Sequence, residues 1–333
     1  MDKENIIPVV YCFSDNYTIA AAPAFYSMLE NADKNYFYKI FVLHSNITEE
    51  NQAKLRQTIS PFKNADLTFM DMNNRFDELF QKTKEKKFYT KEMYYKYLAP
   101  ELFKEFDKII ITDADVVFEG DISKEFNAFN TDDDYYIAGC SLMYRDGFFS
   151  FVIYPKNEFT EEEIHMYSFS GGYYIYNLKK MRADNMLEKF IKCTEENKDR
   201  LRQPEMDVIN MCCYPRIKPL PVNTIVCNYH YDMFYDAAQY DKDIKYKPEE
   251  VKYALENPLQ LHFAGYKKPW LAPEGTKTAR WYYYLSKTPL MQEQLNRMAL
   301  KKPADTVRLF KLSSKKLKKN FVFNMQIIPR ESL

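Results

Sequence analysis

The most informative feature of this 333-residue sequence is what it lacks. No apolar run approaches the ~18 residues of a membrane-spanning helix, so no such helix is predicted. Lys plus Arg and Asp plus Glu both number 47, and this zero net charge gives no indication of a nucleic-acid partner. The N-terminus also lacks the basic and then apolar pattern of a signal peptide. Together these absences favour a cytoplasmic protein.

Cysteine and glycine are both scarce. The six cysteines show no CxxC spacing and several lie in apolar runs, so they are predicted to be reduced, buried thiols rather than a disulfide framework or a zinc site. Only 7 residues are glycine, and two of them, Gly171 and Gly172, are adjacent ahead of a predicted strand. This pair indicates a bend, which either presses the backbone against a ligand or is an ordinary tight turn.

The segment 108–118 carries the clearest chemistry of what is present. Three isoleucines followed by Thr112 predict a strand buried on both faces, as in parallel sheets. Asp113 and Asp115 follow it, and residues i and i+2 of an extended chain point the same way. Two carboxylates held that close require a compensating cation or shared protons, which favours a hard divalent ion such as Mg²⁺ or Mn²⁺. The alternative is a solvated turn after a core strand.

The first 120 residues alternate between strand and helix patterns. Strands are predicted at 6–13, 38–44 and 67–70, and helices at 17–29, from an N-cap at Thr48 to Ile59, and around 90–103, with no clear order at 71–87. Pro23 is predicted to kink or delay the first helix. The alternation predicts a parallel, doubly wound sheet, in which ligands bind at the carboxyl ends of strands.

The second half is less regular. A strand is predicted at 135–140, an active-site loop or flap at 144–167, and helices at 178–196 and from Glu205. Lys96 either reaches a phosphate or is solvated. His262 follows a short strand and precedes Gly265 and Lys268. These three could supply a metal ligand, a close backbone approach and a phosphate cation, or His262 is a structural histidine.

The character of the chain changes after residue 275, which predicts two domains, 1–275 and 276–333. Lys and Arg greatly outnumber acids in 297–319, and leucines and phenylalanines interleave with them. This pattern predicts a helical, Lys-rich extension that makes a peripheral contact with anionic membrane, at its inner face, through residues 297–323. The alternative is a solvated helix or a disordered end.

Six segments in order resemble glycosyltransferase family 8, the group of bacterial lipopolysaccharide galactosyl- and glucosyltransferases and of glycogenin. The resemblance covers roughly residues 6–275 and rests on segments 14–17, 94–102, 106–116, 169–172, 207–210 and 262–270. It implies an α/β fold of the GT-A type, Rossmann-like, with a mixed, mostly parallel sheet and helices on both faces. It also implies a UDP-hexose donor, Mn²⁺ (or Mg²⁺), retention of configuration, and a saccharide or lipid-linked saccharide acceptor in lipopolysaccharide or cell-surface glycan synthesis.

The resemblance also implies residue roles. The metal ligands would be Asp113, Asp115 and His262. The donor would be bound by a set of strand-end, glycine and lysine positions: Cys12, Ser14, Asn16, Lys96, Ala114, Ser170, Gly171, Met206, Gly265 and Lys268. The candidate catalytic residues are Glu205 and Asp207.

The chain departs from the family pattern at several of these positions. Lys96 replaces the usual arginine and loses its bidentate fork. Ser14 stands where an aspartate is frequent, and residues 170–172 read Ser-Gly-Gly instead of Asn-Ala-Gly. Glu205-Met206 replaces Asp-Gln, and Met206 cannot act as a nucleophile or stabilise the reacting carbon. Either the mechanism needs no nucleophile here or Glu205 takes part.

Two other functions fit parts of the sequence. A catalytically silent nucleotide-sugar-binding protein would explain Met206. A strand that ends in Asp-x-Asp also fits haloacid-dehalogenase-type phosphatases, in which the first Asp is the nucleophile. In those enzymes the motif normally opens the chain, and the His262 to Lys268 segment has no place in that chemistry.

Overall fold

The structure is a computed structural model that describes residues 5–83, 89–141, 154–155, 157–233, 246–265 and 267–300. Its strands, in chain order, are β1 (Ile6–Cys12), β2 (Phe37–His44), β3 (Ala65–Asp71), β4 (Lys108–Thr112), β5 (Val116–Phe118), β6 (Ile137–Ser141), β7 (Phe169–Asn177), β8 (Ile217–Pro219), β9 (Ile225–Cys227) and β10 (Gln260–His262).

The helices of the first half are α1 (Thr18–Asn31), α2 (Glu49–Ile59), α3 (Asp77–Lys82), α4 (Ala99–Leu102) and α5 (Ser123–Ala128). Those of the second half are α6 (Glu161–Met166), α7 (Leu178–Ala183), α8 (Met186–Asn197), α9 (Pro204–Cys213), α10 (Asn228–Met233), α11 (Pro248–Glu256), α12 (Thr278–Leu285) and α13 (Met291–Leu300). Short 3₁₀ segments occupy Asp15–Tyr17, Lys91–Leu98 and Val222–Thr224.

Seven strands form the central sheet in the order β3-β2-β1-β4-β7-β6-β8. Neighbouring strands are parallel except where β7 pairs antiparallel with β4 and with β6. A second sheet has the order β5-β10-β9. The prediction of a mixed, mostly parallel sheet in an α/β chain is therefore confirmed.

Apolar side chains on alternate strand positions fill the two faces of the central sheet. Val9 of β1 belongs to one buried cluster, which also contains residues of α1, and Val10 belongs to another. In β4, Ile110 joins the first cluster and Ile109 and Ile111 join the second. Because successive side chains of a strand point to opposite faces, a run of isoleucines is buried on both sides, as predicted.

The structure corrects several boundaries. The segment 71–87, predicted to lack order, contains α3, and its residues 84–87 lie outside the described residues. Pro23 does not delay α1, which begins at Thr18 and includes the proline. The helix predicted at 178–196 is two helices, α7 and α8, separated at Asn185, whose φ is 53°. The loop predicted at 144–167 contains α6, while 142–153 and 156 lie outside the described residues.

The glycine pair was also predicted wrongly as a bend. Gly171 and Gly172 lie inside β7, in extended backbone, and the strand runs on to Asn177. Their lack of a side chain therefore makes room for other groups and does not serve a turn. The groups concerned belong to the site described below.

Asp15 joins the end of β1 to the start of α2. One oxygen of its carboxylate, Oδ1, accepts hydrogen bonds from the backbone N–H of Thr48 (2.9 Å), the Thr48 hydroxyl (3.2 Å) and the Asn51 amide (2.8 Å). The Thr48 hydroxyl in turn accepts from the backbone N–H of Asn51, which confirms the predicted N-cap. These bonds hold the loop after β1 against the adjacent helix.

Removal of this carboxylate is expected to destabilise the fold. The Asp15→Ala variant should lower the free energy of unfolding by about 1–2 kcal/mol, because it removes several hydrogen bonds around a helix N-terminus. Urea denaturation followed by circular dichroism measures the change. Asp199, an exposed aspartate beyond α8, provides the control, and Asp199→Ala should change stability by less than about 0.5 kcal/mol. Equal losses in both variants would contradict the role given to Asp15.

The chain divides into two compact units, Met1–Met291 and Gln292–Leu333. The helix α12 lies in the first unit, where Trp281 and Tyr284 join the buried cluster that contains α1. The division predicted at residue 275 remains a prediction. Most of the segment predicted to contact membrane, 297–323, lies outside the described residues. No helix among those described is both long enough and apolar enough to cross a bilayer.

Candidate active site

Two strand pairings bring the predicted metal ligands together. β4 ends at Thr112, so Asp113 and Asp115 emerge at its carboxyl end, between β4 and β5. β10 pairs antiparallel with β5, with His262 opposite Val116, and the Phe263 N–H donates to the Asp115 carbonyl (2.9 Å). The ladder therefore fixes His262 beside Asp115.

Asp113, Asp115 and His262 form a compact cluster of candidate metal ligands, termed the ligand cluster. Their ligating atoms lie within 4.8 Å of one another. Nε2 of His262 is 3.3 Å from Oδ1 of Asp115 and 3.7 Å from Oδ2 of Asp113. Burial opposes the charged form of His262, but the neighbouring Asp115 carboxylate outweighs it and raises the pKa of His262 to about 10.

Lys268 contacts this group directly. Its Nζ ion-pairs with Oδ2 of Asp115 and donates to the carbonyl of Phe263 (2.9 Å). Although burial favours the neutral acid, Lys268 and His262 together hold the pKa of Asp115 far below its usual range. Gly265, between His262 and Lys268, has a φ of 78°, a left-handed conformation that favours glycine.

Lys96 is not solvated, since only 3% of its surface is exposed. Its ammonium donates to Oδ1 of Asp113 (2.9 Å), to the carbonyl of Gly171 (3.2 Å) and to Oε1 of Glu205 (2.6 Å). An ammonium has three N–H donors, so these bonds use all of them. Lys96 therefore ties one metal-ligand candidate to β7 and α9. Phosphate binding, the role predicted for it, would require it to give up one of these partners.

The two glycines of β7 leave space for neighbouring side chains. A Cβ on Gly172 would lie 2.8 Å from Nδ1 of His262, and one on Gly171 would lie 3.1 Å from Cγ of Met206. Gly172 thus leaves space for the imidazole of His262, which completes the ligand cluster. Gly171 admits the start of α9, where Glu205 and Met206 lie.

Glu205 and Asp207, the candidate catalytic residues, have different surroundings. Burial raises the pKa of Glu205, and Lys96 opposes that rise. Burial also raises the pKa of Asp207, to about 7. The Asp207 carboxylate accepts from the Tyr154 hydroxyl and from the backbone N–H groups of Arg202 (2.8 Å) and Gln203 (3.0 Å). Asp207 therefore fixes the entry to α9, whereas Glu205 contacts the site through Lys96.

The remaining predicted donor-binding residues line the same edge of the sheet. Cys12 is the last residue of β1, and Ser14 and Asn16 follow it. Because β1 and β4 are parallel neighbours, these residues lie at the edge where Asp113 follows β4. Burial, together with Asp113 and Glu205, raises the pKa of Cys12 despite the opposing charge of Lys96, which places this thiol beside the acidic group. Asn16 is exposed, Ala114 is buried, and the Ser170 hydroxyl lies 3.5 Å from the backbone N–H of Gly172.

Two residues of the site were not predicted. Gln260 is fully buried, and its amide donates to the Thr112 hydroxyl (2.7 Å) and to the Gly172 carbonyl (3.3 Å). The i, i+2 spacing of Gln260 and His262 on one strand face was a readable signal. Tyr17 packs edge-on against Trp270, with ring centroids 5.5 Å apart, and burial and Asp115 raise its pKa. Its position next to predicted residues was the corresponding signal.

The ligand cluster fits a divalent cation. Two carboxylates and an imidazole, gathered within 4.8 Å, offer two hard oxygens and one nitrogen. Without a cation, Lys96 and Lys268 balance the charges of Asp113 and Asp115. A cation bound there would share these carboxylates with the two ammonium groups and would require His262 to lose its proton.

Comparison with known proteins agrees with this geometry. Residues 8–273 match glycosyl transferase family 8. General stress protein A of Bacillus subtilis (strain 168) is 24% identical over 281 residues, which cover 81% of this chain and 89% of that protein. The lipopolysaccharide 1,2-glucosyltransferase of Escherichia coli is 22% identical over 273 residues, which cover 81% of this chain and 75% of that protein.

Solved structures show the same fold. The galactosyltransferase LgtC, in complex with donor and acceptor sugar analogs, superposes with a TM-score of 0.66 at 18% identity, covering 85% of this chain and 96% of that one. The bifunctional glycosyltransferase WbbM gives 0.70 at 23% identity and 88% coverage of this chain, which spans only 52% of WbbM. These likenesses confirm the GT-A fold, and the family match leaves the phosphatase alternative without support. The chain belongs to glycosyltransferase family 8.

Proposed function

We propose that this protein is a metal-dependent, retaining hexosyltransferase that moves glucose or galactose from a UDP-sugar to a saccharide acceptor. The convergence of Asp113, Asp115 and His262 beside Lys268 is the observation that carries this proposal. The named activities of the glucosyltransferase and galactosyltransferase relatives support a hexose donor. They also favour an acceptor in lipopolysaccharide or cell-surface glycan synthesis, where a lipid-linked saccharide would be presented at a membrane.

The proposed cation is Mn²⁺ or Mg²⁺, held by Asp113, Asp115 and His262. Such an ion supplies Lewis-acid stabilisation of the negative charge on a departing diphosphate. Lys268, through its Nζ, would add a second positive charge to the same leaving group. Gln260 and Gly172 would support the ligand cluster, because Gln260 anchors the end of β4 and Gly172 leaves space for His262.

In the proposed transfer, the bond between the anomeric carbon and the diphosphate oxygen breaks, and its electron pair leaves with UDP. The acceptor hydroxyl oxygen forms the new bond on the same face of the sugar, and its proton passes to an oxygen of the leaving diphosphate. Met206 carries no group that could act as a nucleophile, which favours this direct route. Glu205 would border the donor sugar, and Asp207 would act as a positioning residue for α9.

The testing experiment titrates the purified protein with UDP-glucose and UDP-galactose, with and without Mn²⁺, by calorimetry, and follows UDP release. Metal-dependent binding with slow UDP release is expected, and the tighter ligand identifies the donor. Metal-dependent binding without turnover in water or with any tested acceptor would instead favour the silent nucleotide-sugar binder. No metal-dependent binding of any nucleotide sugar would overturn the proposal.

Loss of one metal ligand should remove this dependence. The Asp115→Asn variant is expected to weaken Mn²⁺-dependent donor binding by about 100-fold or more, because it removes a ligand and the partner of Lys268. Calorimetry with the preferred UDP-sugar gives the measurement, and Asp199→Asn is the matched exposed control. Unchanged metal dependence in Asp115→Asn would show that the ligand cluster is not the metal site.

Cytoplasmic localisation and peripheral membrane contact through residues 297–323 remain predictions. A vesicle sedimentation assay with anionic and neutral lipids would test the contact.

A further inference from the structure

An open cavity of about 530 Å³ lies at the β8 side of the central sheet. Ser141 at the end of β6 and Phe169 at the start of β7 form one side, and the segment 219–223 forms another. The third side is Tyr246 together with α11, which contributes Glu249, Glu250 and Tyr253. The volume lies within the range typical of small-molecule sites, roughly 300–1,000 Å³.

The lining combines aromatic rings with hydrogen-bond acceptors. Tyr253 lines the cavity and is 57% exposed, so much of its side chain is accessible to a ligand. Glu249 is exposed in the first turn of α11, and the Asn223 amide donates to the Asn257 carbonyl (2.9 Å), which leaves the side-chain oxygen of Asn223 as an acceptor. A pyranose ring has apolar C–H faces and a rim of hydroxyl donors, so it matches an aromatic surface flanked by carboxylate and amide oxygens.

The charge of the lining argues against a nucleotide. Of the lining residues that the structure describes, Glu249 and Glu250 are acidic and none is Lys or Arg. A diphosphate would meet like charge there, whereas an uncharged saccharide would not. The cavity therefore differs in charge from the surroundings of Lys268, which lies beside the ligand cluster.

The cavity and the proposed donor site both border β7. Phe169 lines the cavity, and two residues further on Gly171 borders Glu205 and Met206. At roughly 3.3 Å per residue, these two positions are about 7 Å apart, close to the length of one pyranose ring. Asn210 of α9 also donates to the Phe169 carbonyl (2.8 Å), which joins the cavity to the helix that carries Glu205.

We propose that this cavity is the acceptor subsite, in which Tyr253 stacks on a pyranose ring of the acceptor saccharide. Glu249 and Asn223 accept hydrogen bonds from the hydroxyl groups of that ring. This inference rests on the proposed transferase function. It assigns to α11 a role in acceptor choice, separate from the residues that hold the donor.

The test uses the full chain with UDP and Mn²⁺, and it measures binding of p-nitrophenyl β-D-glucoside and p-nitrophenyl β-D-galactoside by ligand-observed NMR. At least one glycoside should bind to the wild type. Tyr253→Ala should weaken that binding about five- to tenfold through loss of stacking, while Tyr253→Phe retains it. Glu249→Gln should weaken it less. Tyr283→Ala, which removes another exposed tyrosine, is the control and should have no effect.

Calorimetry of UDP-sugar binding in the same samples separates the two proposals. Donor binding should be equal in the wild type and in Tyr253→Ala. If the wild type shows no metal-dependent donor binding, the proposed function fails. If donor binding is intact but neither glycoside binds, or if glycoside binding is indifferent to Tyr253→Ala, the acceptor subsite is overturned.

Discussion

A single methyl group on residue 172 is expected to weaken metal-dependent binding of the UDP-sugar about 100-fold, although the variant retains Asp113, Asp115 and His262. The Cβ of Gly172→Ala would lie 2.8 Å from Nδ1 and 2.9 Å from Cε1 of His262, and 3.7 Å from Oδ2 of Asp113. His262 is buried and held in β10, so its ring can move away from residue 172 only by leaving Asp113 and Asp115. We expect Mn²⁺ affinity to fall by about 100-fold.

The backbone itself should tolerate this change. Gly172 lies in the extended conformation of β7, which any residue adopts, so the effect is steric and local. Titration calorimetry with Mn²⁺ and the preferred UDP-sugar measures the loss, and thermal unfolding checks the fold. The matched control is Gly120→Ala, whose Cβ would lie 3.2 Å from the flexible end of Leu259. Wild-type metal affinity in Gly172→Ala would contradict the close approach of His262 to β7.

Replacing Lys96 with methionine is expected to give the largest loss of stability. The variant leaves Glu205 buried without its ion-pair partner and Asp113 without one of its own. Breaking a buried ion pair by removal of one partner costs about 3–5 kcal/mol. Chemical denaturation measures the loss. Lys179→Met, which breaks an exposed pair with Asp132, should leave the stability close to that of the wild type.

The loss in Lys96→Met should depend on pH. Burial already raises the pKa of Glu205, and removal of Lys96 takes away the main opposing influence and leaves a backbone hydrogen bond at Met206. A carboxyl whose folded-state pKa lies above its unfolded value is stabilising at low pH, and that contribution is lost as pH rises. The deficit should therefore be smaller at pH 5 than at pH 8, and the double variant Lys96→Met/Glu205→Gln should recover part of it. A deficit independent of pH, or no recovery, would contradict the buried pair.

Local pattern was sufficient to predict most of the sheet. The isoleucines of β4 and the apolar runs of β1 and β2 specify buried strands by themselves, and Thr48 specifies a helix start. The signal for α6 was also local, because Thr160 and Glu163 form a capping box. That signal was missed because the surrounding segment has no apolar period.

Other features depend on residues distant in sequence. Nothing near Gly172 reveals that a histidine of β10 will lie against it, and so the glycine pair looked like a bend. Lys96 looked solvated because Asp113, Gly171 and Glu205 reach it only in the folded chain. The break at Asn185 requires a left-handed residue that the helical pattern of the region does not indicate.

The pairing of β5 with β10 also has a consequence for the order of folding. Asp115 and His262 are separated by more than a third of the chain, and a long loop must close before the two strands can meet. Contacts of such high sequence separation form slowly. A partly folded chain that contains β1 to β4 would present both aspartates without the histidine. High-affinity capture of a cation would then mark one of the last steps of folding, and the cation would stabilise only the completed chain through mass action.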